Sequence, residues 1–126
     1  MYKILALAGI VILGFAMKIF NKDYSGNKNL KVYHFYHNPY GYTCSEAERC
    51  IKEIVKESDK DLTFSSINTS EDNKDYIDGY HPTQKEVVIY NPNTEEYKVS
   101  SIRNLIKRGA TDSEVKQQFT KELDSI

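Results

Sequence analysis

The sequence predicts an α/β domain, a mixed central sheet flanked by helices in the order βαβαββα, behind an N-terminal hydrophobic helix. Three observations predict it. The apolar-aromatic run Val32-Tyr33-His34-Phe35-Tyr36 is followed by a tight loop with Pro39 and Gly41, and then by apolar residues at helical spacing. Strand-like runs recur at 62–67, 87–90 and 95–99 with turn-forming or helical stretches between them. The first twenty residues are a different material, with fourteen uncharged residues from Ile4 to Met17.

Residues 1–20 read as a signal anchor or signal peptide. The uncharged run has the length of a signal-peptide core and falls short of the ~20 residues of a membrane-spanning helix, although Lys18 could snorkel and let Phe20 extend it. Phe15-Ala16-Met17-Lys18 makes a poor cleavage site, which favours an uncleaved anchor over Ile4–Phe20 with the membrane as its partner. The folded part is then expected outside the cytoplasm, in a periplasm or at a cell surface. Lys18, Lys22, Lys28 and Lys31 follow the segment and pull the orientation the other way. Residues 21–29 are polar and turn-rich, a tether, and residues 30–126 form the domain.

Within the domain, Ala47, Cys50, Ile51, Ile54 and Val55 place one buried face on a helix from about Ser45 to Glu57. Thr43-x-x-Glu46 and Ser45-x-x-Glu48 both read as capping boxes for its start. Leu62 to Ile67 is the second strand, Ser70 to Tyr80 a short helix entered through a Ser cap, and Val87 to Tyr90 the third strand. Asn91-Pro92-Asn93-Thr94 turns the chain into a fourth strand, Glu95 to Val99, closing a hairpin. Thr111-x-x-Glu114 caps a last helix from about Asp112 to Ser125, with Val115, Phe119 and Leu123 on one face.

The 17 basic and 18 acidic residues are scattered and nearly cancel, so the chain lacks the basic footprint of a nucleic-acid binder. No cofactor motif is present. Ten tyrosines and five phenylalanines supply core bulk, and none is assigned a site.

Leu62-Thr63-Phe64 leading to Asn68-Thr69-Ser70-Glu71-Asp72-Asn73, and Arg108-Gly109-Ala110 before a capped helix, are similar to strings of the thioredoxin-like superfamily. Phe35-Tyr36-His37-Asn38, Tyr42-Thr43-Cys44 and Glu48 resemble a small group of exported thioredoxin-like proteins labelled as arsenic-operon or nitroreductase-subunit proteins. The resemblance covers about Leu30 to Leu123. It implies a thioredoxin fold and thiol-disulfide exchange at a Cys-x-x-Cys on the helix start. Two departures stand out. Gly41 occupies the place of the first cysteine, which forms the mixed disulfide in that chemistry. The family's cis-proline falls by spacing near Glu86, while Pro82-Thr83 sits three residues earlier.

Cys44 is therefore the candidate redox thiol, with Tyr42, Thr43, His37, His81 and Pro82 expected around it at the edge where the helix starts in that fold. A helix N-terminus favours a thiolate, whereas Glu46 and Glu48 oppose one. The residues leave open whether Cys44 is reactive or an inert, partly buried thiol. Cys50 lies inside the apolar stripe and reads as core. Six helical residues at ~1.5 Å rise would hold the two sulfurs' backbones ~9 Å apart, beyond disulfide reach. His34 is read as packing.

Three functions follow. The first is a membrane-tethered thiol-disulfide protein using Cys44 alone, resolved by a protein or small-molecule thiol partner. The second is a redox-silent scaffold that binds a membrane or extracytoplasmic partner. The third is a copper or zinc carrier using Cys44 with His37 or His81.

Overall fold

The computed structural model describes residues 29–58 and 61–126, so the tether and the N-terminal apolar segment lie outside the described residues, save Asn29. No helix among the described residues is long and apolar enough to cross a membrane. The elements are β1 (Leu30–Tyr36), α1 (Gly41–Glu57), β2 (Leu62–Asn68), β3 (Glu86–Asn91), β4 (Glu96–Val99), α2 (Ile102–Lys107) and α3 (Asp112–Asp124). They build a mixed four-stranded sheet in the order β2-β1-β3-β4, in which β1 and β2 are parallel and the other pairs antiparallel.

Strand alternation divides β1 between two cores. Leu30 and Val32 face the helices and join Val87 and Ile89, Ile51 and Ile54 of α1, Ile102 of α2, and Phe119 and Leu123 of α3. Tyr33 and Phe35 face the other side with Ile67, Ile77 and Val88, where residues 69–85 cover the sheet. The stretch 70–80 was predicted helical and is not: Asn68 Oδ1 accepts the amide of Ser70 at 3.0 Å, and Asp72 Oδ1 accepts that of Lys74 at 3.0 Å. Such short polar side chains capture nearby amides and outcompete the helix. Gly79, at φ +77°, then lets Ile77 and Tyr80 bridge across a tight turn.

Helix α1 begins four residues before its predicted start. Tyr40 is its N-cap without a side-chain cap bond, so neither the Thr43 nor the Ser45 capping box forms. Gly41 enters the helix at φ +74°, a turn of backbone open to glycine. The cis peptide bond among the described residues is Asn38–Pro39, and Pro82 does not carry one. The 91–94 turn forms as predicted, with the Glu95 amide donating to the Asn91 carbonyl at 2.8 Å. Thr111 and Glu114 make the full predicted capping box on α3. Helix α2 was not predicted. Its six residues are too few for a periodic signal, although Ile102, Leu105 and Ile106 already carry the helical spacing.

Candidate functional site

His34 is a polar residue at a strand position that alternation turns towards the helices, fully buried with Val32 and Leu30 as neighbours on that face. Such a group must find partners. Helix α1 brings Cys44 and Glu48, one turn apart, over β1, and α2 brings Arg103. His34 Nδ1 lies 2.8 Å from Glu48 Oε2, and Arg103 Nη1 lies 3.2 Å from His34 Nε2 and 3.3 Å from Cys44 Sγ. Arginine can only donate, so His34 Nε2 accepts, and the imidazole is neutral with its proton on Nδ1, directed at Glu48. Ser66 Oγ of β2 also donates to Glu48 Oε2, and the Tyr40 hydroxyl hydrogen-bonds the same carboxylate.

The electrostatics agree with that assignment. Burial, the largest effect, lowers the pKa of His34, helped by the Arg103 charge and opposed by Glu48. At Glu48 burial works to raise the pKa, and the hydrogen bonds from Ser66, His34 and Tyr40 reverse it, so the carboxylate titrates below its ordinary value. Burial and then the Glu48 bond push the Tyr40 hydroxyl upward. The result is a closed polar chain joining β1, β2, α1 and α2.

Cys44 ends that chain with 0 % exposure. Both cysteines are free thiols. Cys50 is buried one and a half turns further along α1, its sulfur 3.5 Å from Asp112 Oδ1, and burial together with the Asp112 charge pushes its thiol pKa up to about 11. Beside it Arg49 bonds Asp112 at 2.5 Å, Glu46 at 2.9 Å and Glu53 at 3.1 Å, pinning α1 to α3.

The expected rim of Cys44 does not assemble. Tyr42 is 73 % exposed and Thr43 half-buried on α1. His37 is exposed beyond β1, its Nδ1 3.3 Å from the Asn38 carbonyl. His81 and Pro82 line a separate cleft on the opposite face of the sheet, with Phe35, Ile67, Tyr76 and Tyr80. Among the described residues no three His, Cys, Asp or Glu side chains converge as a metal site requires. His34, Glu48 and Arg103 were missed as a unit. A histidine on the inward parity of β1 and a glutamate one turn after Cys44 were legible signals, whereas Arg103 arrives only through the tertiary fold. No protein family, curated protein or solved structure matches this chain.

Proposed function

We propose that this chain is a thioredoxin-like module that works by binding a partner, with its cysteine locked out of dithiol exchange and its domain held at a membrane, on the extracytoplasmic side, by Ile4–Phe20. The strand order β2-β1-β3-β4, with a parallel β1–β2 pair beside an antiparallel hairpin, supports the thioredoxin-like reading, while the non-helical 69–85 connection takes the place of that fold's second flanking helix. One observation carries the silent reading. The Cys44 sulfur is fully buried against Arg103, while Gly41, where a first cysteine would stand, runs at φ +74°. An L-residue resists that backbone, and a sulfur sealed from solvent cannot meet a substrate disulfide.

The test is iodoacetamide modification of Cys44 at neutral pH in the full chain carrying Cys50→Ala. The expected result is labelling only as fast as the fold opens, accelerating in urea. Rapid labelling in native buffer, with a glutathione mixed disulfide on Cys44, overturns the proposal. That outcome would favour the monothiol reading, for which the Arg103 contact to the sulfur is the supporting feature.

A further inference from the structure

The sheet face away from the helices carries a cleft of about 160 Å³, below the size that holds drug-like ligands and suited to a small head group. Its floor is aromatic. The Phe35 ring lies 6.4 Å from Tyr76 and 6.3 Å from Tyr80, both tilted to it, and Tyr97 backs Tyr80 at 4.7 Å. Asp72 and Asp75 supply negative charge at its wall. Asp72 accepts from the Tyr76 hydroxyl at 2.5 Å and from the Lys74 amide, and these bonds hold its carboxyl below the ordinary range. Asp75 is 65 % exposed at the rim, 3.3 Å from His81 Nδ1.

One further contact indicates what such a surface attracts. The Lys74 ammonium sits 5.3 Å from the Tyr76 ring centroid, so the chain already rests an alkylammonium of its own on the aromatic wall. Aromatic faces beside fixed carboxylates favour a cation whose methyl or methylene groups pack on the rings while its charge faces the acids.

We propose that this cleft binds a small organic ammonium ion, free or as a zwitterionic head group, with the half-buried Tyr76 and Tyr80 rings as its stacking surface backed by the buried Phe35, Asp72 and Asp75 as its counter-charge and Lys74, which rests on Tyr76, as a competitor in cis. The inference rests on the reading of the chain as a binding module and gives that reading a ligand class.

The test is titration of the full chain with choline, with its uncharged isostere 3,3-dimethylbutanol and with glycerophosphocholine, followed by NMR shifts of residues 69–85. Choline should saturate those shifts at least about threefold more tightly than the isostere. Lys74→Ala should tighten choline binding, and Asp75→Asn, at the exposed rim, should weaken it about twofold or more without disturbing the fold. Glycerophosphocholine binding as well as choline would identify a head-group site, and its rejection a site for the free cation. Equal responses to choline and the isostere, or indifference to both substitutions, overturn the inference. Rapid labelling of Cys44 would instead overturn the silent reading and leave this titration standing, so the two failures are distinguishable.

Discussion

Replacing Arg103 by Met removes the guanidinium but keeps much of the apolar stem, and so isolates the polar chain from packing. Two hydrogen bonds go, to His34 Nε2 at 3.2 Å and to Cys44 Sγ at 3.3 Å. A thiol is a weak acceptor, so most of the loss sits at His34, whose fully buried nitrogen is left without a donor at a cost of ~2 kcal/mol. For a domain of this size that lowers the melting temperature by ~8–16 °C. The pH dependence separates this mechanism from generic damage. In the native protein burial holds the His34 pKa below its unfolded value of ~6.5, so below that pH the unfolded chain binds more protons. The stability tied to His34 is present above pH ~6.5 and is lost as pH falls from there through the folded value. Glu48, also lowered, adds a loss of the same sign further into the acid range. In Arg103→Met, Nε2 is free, the neighbouring positive charge is gone, and the imidazolium retains its bond to Glu48. The folded pKa of His34 therefore rises and the acid penalty shrinks. Urea unfolding followed by far-UV circular dichroism at pH 7.5 and 5.5 should show a deficit of ~2 kcal/mol at the higher pH and a clearly smaller one at the lower. The exposed Arg108→Met serves as control, within ~0.5 kcal/mol of wild type. A deficit under ~0.5 kcal/mol at both pH values, or one that is equal or larger at pH 5.5, would refute the reasoning.

Three further predictions concern stability and the reactivity of Cys44. Gly41→Ala meets no steric contact but must hold φ +74°, so it should destabilise by ~1–2 kcal/mol in the same unfolding assay, and Gly41→Cys should create a Cys-x-x-Cys spacing with Cys44 without accelerating insulin reduction over wild type. Glu122 is a buried carboxylate that takes Ser100 Oγ at 2.5 Å, Ser101 Oγ at 2.8 Å, the Ser101 amide at 3.1 Å and Gln118 Nε2 at 3.0 Å. Glu122→Ala, which strands those donors, should cost ~2–3 kcal/mol, and a thermal melt that shifts by less than a few degrees would count against the clamp.

Sequence by itself determined the strands of the sheet and the buried faces of α1 and α3. Short apolar runs at 32–36, 62–67 and 87–90 and period-3.6 stripes in α1 and α3 mark the strands and the inward helix faces, because burial of apolar surface acts on every such pattern whatever the neighbours are. The Thr111 cap on α3 and the 91–94 turn were legible for a related reason, since each is completed by atoms two to four residues apart. Where two local preferences competed, at 70–80, Ser70 as a cap suggested a helix and the Asn68 and Asp72 side chains bonding nearby backbone amides prevented it. The closure of the candidate sites was decided by tertiary structure. Arg103 meets His34 across 69 residues of chain, and Phe35 meets Tyr76 and Tyr80 only because the connection folds back over the sheet. The cysteine's position near a helix start was readable, but its burial was not. Exposure depends on what packs above a residue, and here that is Arg103 from a six-residue helix that periodicity cannot detect.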